Sequence, residues 1–219
     1  MYVPRTRMSS EQRTEQILDI TLALARKKGL SGLSIEAVAK AAGVTRPLVY
    51  SLFGDFDGLL DALIEREEGL ALADLAVAIP DFPGEDDPDE VLERGVGLFL
   101  EAVQAQPDRW YLILLPPDGT PERLRLRIER NRAAILGQLE QLVAWGVRRR
   151  GGPHGIDTEL LARLILTLAQ DSARLVLTHP RKYDTGRILE FTAAALKLIP
   201  RGEPDFEAPA PTLPGIRAA

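Results

Sequence analysis

Apolar residues recur along this chain at helical spacing, and glycines and prolines cut the recurrence into segments. Ile17, Ile20 and Leu24 share one face of the first segment, Ser9 to Gln12 match a capping box ahead of it and Gly29 supplies its stop, so a helix is predicted over 10–28. Ser34 can cap a second, short helix that Gly43 ends, with Glu36 well placed in its first turn. Thr45 can cap a third over 46–53, whose first turn admits Pro47 because the missing N–H costs nothing there. A fourth helix is predicted over 55–78, with Leu59, Leu60, Leu63 and Ile64 on its inner side. Prolines and a glycine in 80–88 make that stretch a loop. Helical patterns then cover 89–105, 108–115, 122–150, 157–179 and 182–199, with breaks at Pro107, Pro116, Gly151 to Pro153, and Pro180. Beyond Ile199 the chain is rich in proline, and the tail 201–219 is expected to lack fixed structure.

Composition supports the helical reading, because the 45% hydrophobic residues are dominated by Leu and Ala while aromatics are 5% and β-branched runs are scarce. The expected fold class is all-α. A chain of 219 residues suits one or two domains, and the breaks suggest 1–54, a linking helix 55–78, a second domain 79–200 and the tail. The absence of cysteine removes disulfides, thiolate metal sites and cysteine nucleophiles, and His154 and His179 leave little metal chemistry; no cofactor is expected. No apolar run approaches the ~20 residues that span a bilayer and the N-terminus lacks a signal-peptide stretch, so a cytoplasmic protein without membrane contact is expected. The net charge of −5 hides an asymmetry. Between Met1 and Gly54, eight Arg or Lys oppose four Asp or Glu, a local +4, so the remainder carries −9. A basic head on an acidic body suits a nucleic-acid-binding module joined to one that does not bind it.

Two short helices that cross steeply need a small residue where their backbones nearly touch, a glycine at the corner, and inward apolar residues. Ala39, Gly43 and the set Val38, Val44, Val49 and Leu52 meet these needs, as would an ordinary helical hairpin. The wider run separates the two. Gly29, Ser34, Ile35, Val38, Ala39, the stretch Ala42-Gly43-Val44-Thr45, then Tyr50, Phe53, Leu59 and Leu60 together resemble the N-terminal signature of the tetracycline-repressor (TetR) family of regulators. The resemblance implies an N-terminal three-helix helix-turn-helix domain for double-stranded DNA, followed by a helical ligand-binding and dimerisation domain.

On that resemblance the third helix enters the major groove, with Thr45, Arg46, Pro47, Leu48 and Ser51 at its base-facing end. Arg46 either takes the two acceptors of a guanine or grips a phosphate; Tyr50 matches the family's backbone-contacting tyrosine; Ser34 offers a hydroxyl and helix-start N–H groups to phosphate, or serves only as a cap. Where the family usually places a phosphate-binding lysine at the opening of the fourth helix, this chain has Phe56 between Asp55 and Asp57. Lys27, Lys28, Lys40 or the arm residues Arg5 and Arg7 are expected to compensate.

The helices over 157–179 and 182–199 match the place where the family pairs two subunits, and Leu161, Leu164, Leu168, Leu175, Ile188 and Phe191 are the expected dimerisation residues. A polar line of Arg163, Thr167, Asp171 and Arg174 runs along the first of these; pairing of Asp171 with Arg174 or with the partner subunit is expected, or part of the line orients a ligand. Phe99, Trp110, Tyr111, Gln141, Trp145, Thr167, Asp171 and Arg174 are the candidate pocket residues, whose character suits a hydrophobic or amphipathic small molecule. The arginine clusters over 125–132 and 148–150 read as a solvated helix face and a helix C-terminus. The function expected is a homodimeric, ligand-released repressor on a near-palindromic operator; the rivals are a constitutive dimeric DNA-binding protein with a protein partner, and an α-helical enzyme relying on acids alone.

Overall fold

A computed structural model of the chain describes residues 8–80, 86–116, 122–203 and 211. Among these the regular structure is entirely helical: α1 (Ser10–Lys28), α2 (Ile35–Ala42), α3 (Arg46–Phe53), α4 (Phe56–Ala78), α5 (Pro88–Ala105), α6 (Pro107–Leu114), α7 (Glu122–Arg149), α8 (Thr158–Thr178) and α9 (Thr185–Lys197), with a 3-10 turn at Leu30–Gly32 after α1. The all-α expectation holds. No helix among the described residues is long and apolar enough to cross a membrane. The chain divides into two compact units, the division falling inside α4 after Glu68.

The first unit is ordered by local capping. Ser9 accepts from the Gln12 amide while the Gln12 side chain accepts from the Ser9 amide, the reciprocal box expected at the start of α1. Gly29 closes α1 at φ 74°, a conformation that favours glycine. Ile17, Leu18, Ile35, Val38, Ala39, Val49, Leu59 and Leu63 then form one buried cluster, drawing an apolar face from each of the four helices. A second tie joins α1 to α4: Arg66 reaches Glu15 at 2.9 Å, Asp19 at 2.8 Å and its neighbour Glu67 at 2.6 Å. Burial disfavours the charged guanidinium, yet its hydrogen bonds to Glu15, Glu67 and Asp19 outweigh that and raise its pKa above the ordinary arginine value.

The second unit packs Phe99, Leu100 and Val103 of α5 with Trp110 and Leu114 of α6, Ala173 and Val176 of α8 and Ile188 of α9. A separate cluster joins Leu139 and Val143 of α7 to Ala162 of α8. Helix α9 starts at Thr185, not at 182, because Asp184 is its N-cap and accepts from the Arg187 amide, which places 182–184 ahead of the helix.

The strand of chain leaving α9 is fixed where a structureless tail was expected to begin. Arg201 pairs bidentately with Asp87, at 2.6 and 2.9 Å, and also with Asp89, while Arg150 donates to Asp89, 3.1 Å, and to the carbonyls of Leu196 and Ile199, 3.4 Å each. Arg150 stands at the C-terminal end of α7, as expected, and is in addition a buried cross-link to the carbonyls at the end of α9. Of the remaining tail only Pro211 lies among the described residues. The hydrogen bonds from Arg201 hold the Asp87 carboxyl below the usual carboxylate pKa. A folded pKa below the unfolded one gives stabilisation that is complete above the ordinary carboxylate value, near ~4, and lost only as pH falls through the lowered value. Amide exchange of 196–203 is expected to stay slow at pH 5 and to accelerate below about pH 4; equal exchange at both, after correction for intrinsic rates, counts against the clamp.

Candidate DNA-binding surface and effector domain

In the first unit the backbone turns from α2 to α3 at Gly43, left-handed at φ 65°, and the Val44 amide returns to the Ala39 carbonyl at 3.0 Å. Ala39 and Val49 are buried at the crossing, so α3 is held by one face and presents the other. Thr45, Arg46, Pro47, Tyr50 and Ser51 are exposed on it, and Leu48 is half-buried. Ser34, exposed as well, caps α2 by accepting from the Ala37 amide at 3.1 Å. The structure thus brings all seven sequence-predicted residues to an accessible position on α3 or beside its neighbour α2.

Three details refine that surface. Thr45 occupies the N-cap position of α3 but its hydroxyl makes no capping bond, which corrects the expected role and leaves the hydroxyl outward. Ser51 donates to the Leu48 carbonyl at 2.9 Å, so its oxygen retains only acceptor capacity. Arg46 lies 3.9 Å from Glu36, with both side chains largely exposed; an ion pair so solvated contributes no more than ~1 kcal/mol and is readily exchanged for a stronger partner. The departure at Phe56 also has a physical account. Phe56 packs against the apolar cluster, Asp55 accepts from the Gly58 amide at 2.8 Å, and a Cβ at Gly58 would strike the Phe53 carbonyl. The Gly54 to Gly58 stretch is built to turn tightly between α3 and α4. Lys27, Lys28 and Lys40 are exposed, whereas Arg5 and Arg7 lie outside the described residues.

In the second unit Phe99 and Trp110 meet edge to face, ring centroids 5.1 Å apart, inside the larger apolar cluster. Trp145 is buried too, and Tyr111 is half-buried. Gln141, Thr167 and Asp171 are exposed and do not line that cluster. The expected Asp171–Arg174 pair does not form: the Arg174 Nε donates to the Leu114 carbonyl at 3.0 Å, and Arg163 is held by Glu159 one turn earlier. Of the six expected dimerisation residues, Leu164, Leu168 and Phe191 stand in solvent, 59%, 65% and 71% exposed, together with Leu160 at 58%. Leu161 and Leu175 are half-buried, Leu161 against α7. Ile188 is the exception, since it faces inward and belongs to the chain's own core.

Residues 17–63, which contain this helix pair and its supports, match the family model described as bacterial regulatory proteins, tetR family. Over those residues the chain is similar to the TetR family. Among curated TetR-family relatives it is 32% identical over 110 residues to the HTH-type transcriptional regulator AcrR of Shigella flexneri, covering 50% of each chain. It is 42% identical over 56 residues to the regulator BetI of Paraburkholderia phymatum, covering 26% of this chain and 29% of that one. The chain thus spans about half the length of the first of these relatives or less. Solved structures extend the likeness of fold over both units. A TetR-like transcriptional regulator from Rhodococcus sp. RHA1 superposes with a TM-score of 0.70 at 23% identity, covering 88% of this chain and 99% of that one. FadR from Bacillus subtilis, in complex with stearoyl-CoA, gives 0.66 at 18% identity over 83% and 96%. These matched TetR-like proteins are named as regulators rather than enzymes.

The side chains that sequence reasoning missed are the ionic ties: Arg66 with Glu15, Asp19 and Glu67, Arg109 with Asp74 at 2.9 Å, and Arg201 with Asp87 and Asp89. Each joins residues far apart in the chain or sits within a run of charge, so no local spacing announces it.

Proposed function

We propose that the protein is a DNA-binding transcriptional regulator that grips a near-palindromic operator as a homodimer and releases it when a hydrophobic or amphipathic small molecule enters the second unit. The observation that carries the DNA-binding part is the outward face of α3, with Arg46 and Tyr50 accessible in a segment that matches the family model. A B-DNA major groove, about 12 Å wide, admits one such helix, and its N-terminal residues meet base edges. Arg46 reads bases or phosphate, Tyr50 positions the helix on the backbone, and Ser34 and Thr45 offer hydroxyls to phosphate.

Dimerisation is supported by the row Leu160, Leu164 and Leu168 at helical spacing on α8 with Phe191 on α9, all left in solvent by the protomer. Two copies related by a two-fold axis would present recognition helices about 34 Å apart, one turn of the duplex. The effector part rests on the apolar core around Phe99 and Trp110, and on a neighbour of the same fold being a complex with the amphipathic stearoyl-CoA. Release then amounts to a coupling of about 1 to 3 kcal/mol between sites, and operator must weaken effector by the same factor.

The test is selection of bound sites from random DNA, followed by fluorescence anisotropy at fixed salt. Tyr50→Ala is expected to loosen all sequences about tenfold, the scale of one hydrogen bond to a charged group. Arg46→Ala is expected to lose about 1 to 3 kcal/mol and to alter which base is preferred. Unchanged affinity in both variants removes α3 from the contact surface, and selection of unrelated sites without symmetry removes the dimeric operator.

A further inference from the structure

The apolar core of the second unit contains a donor with nothing to donate to. Trp110 is 2% exposed, its ring is clasped edge to face by Phe99, and its Nε1 is buried without a hydrogen-bond partner. A buried tryptophan ordinarily finds an acceptor for its N–H, because a donor taken out of water and left unpaired loses the hydrogen bond it had there. Helix α9, which supplies Ile188 to the same core, carries a second such atom, the buried hydroxyl oxygen of Thr185, also without a partner. Both groups can donate, and both belong to helices packed in one apolar cluster. A molecule that satisfied them would therefore bring an acceptor, since an additional donor could not pair with an indole N–H.

We propose that the Trp110 indole N–H is the recognition donor for an amphipathic ligand whose head carries a carbonyl or carboxylate oxygen and whose apolar tail lies among Phe99, Leu100, Val103, Leu114 and Val176. This deepens the effector reading and rests on it. An oxygen acceptor in this site converts an unpaired buried N–H into a hydrogen bond, so the affinity difference between an oxygen-bearing ligand and its hydrocarbon counterpart concentrates at this atom. A site built to hydrogen-bond one group also rejects analogues that lack it more strongly than it rejects a change in tail length.

The experiment uses the full wild-type chain labelled with 15N-tryptophan. Trp110 and Trp145 are the two tryptophans of the sequence, so Trp145→Phe assigns the two indole signals. The probes are decanoic acid, methyl decanoate and 1-decene. The acid and the ester are expected to move the Trp110 indole proton downfield, as hydrogen-bond formation does, and 1-decene is not. In parallel, Trp110→Phe, which keeps an aromatic ring and removes the N–H, is expected to bind the acid and the ester at least tenfold more weakly than wild type. Failure of both oxygen-bearing probes to bind, an unmoved indole signal on binding, or the same shift with 1-decene overturns the inference. Operator binding by the unliganded protein, measured separately by anisotropy, shows whether the regulator reading fails with it or stands without it.

Discussion

Replacing Leu164 and Leu168 together by glutamate is expected to leave the protein monomeric and to lower its affinity for a two-half-site operator by about 100-fold or more. The protomer itself does little with these side chains, which stand 59% and 65% exposed, so the thermal midpoint of the monomer should hardly change. In a two-fold interface every residue occurs twice, and four new carboxylates would be brought together and desolvated there. With the dimer gone, the second recognition helix loses the high effective concentration that the first contact gives it, which is where most of the operator affinity of a two-headed reader arises. Sedimentation equilibrium reads the first effect and anisotropy on full and half operators reads the second. The half-operator should bind the variant and wild-type protomers alike. A variant that remains dimeric would place the interface elsewhere on the surface.

Arg66→Ala is expected to cost the first unit about 3 kcal/mol or more, the typical effect of removing one partner of a buried ion pair. The Glu67 carboxylate is 3% exposed and would lose the guanidinium 2.6 Å away, while Glu15 and Asp19 on α1 would lose their tie to α4. Domains carry only about 5 to 15 kcal/mol in all, so a loss of that size in so small a unit should unfold a visible fraction near 37 °C. Because the residue's partners lie in α1 and α4 and not in α3, the signature is specific: operator affinity falls in step with the folded fraction, and cooling restores both. Urea unfolding followed by far-ultraviolet circular dichroism supplies the number. Arg66→Lys should recover only part of the loss, since an ammonium cannot serve three carboxylates with one planar fork. A midpoint identical to wild type in Arg66→Ala would assign the cluster no structural role.

What the sequence discloses and what it hides divide along a physical line. Caps and corners are decided within a turn of chain, so Ser9 with Gln12, Ser34, Gly29 and Gly43 could be placed correctly before any coordinates. The periodic pattern begins three residues ahead of α9 because Lys182 and Tyr183 are themselves helix-compatible, while Asp184 is the residue that caps. Periodicity identified the apolar faces of α8 and α9 but is blind to which neighbour covers them; Leu168 and Ile188 look alike in a helical pattern, yet one is in solvent and the other in the core. Charges are harder. Arg66 sits among Glu65, Glu67 and Glu68 and reads as a solvated run, while its decisive partners are in α1. The spacing of Asp171 and Arg174 suggests a pair within one helix, and the carbonyl end of α6 takes the guanidinium instead. The accessibility of the seven residues expected on the DNA surface was legible because it follows from local turn geometry, whereas Gln141 and Thr167, expected to line a pocket, stand exposed because their spacing carries no information on which way their helices face.

The clamp between Arg201 and Asp87 joins positions 114 apart, against 51 for the Arg66–Glu15 tie of the first unit. Closing the longer loop costs roughly 0.7 kcal/mol more in chain entropy, since the cost grows only with the logarithm of length. The larger kinetic consequence is order: a contact of such sequence separation forms after the helices it bridges are already docked. Glycines at 151 and 202, whose side-chain-free backbones lie against each other beside the clamp, then permit the final approach without displacing anything already packed. During refolding the head should therefore acquire its exchange protection ahead of the last turn of α9, and mild denaturant should release that end of the molecule first.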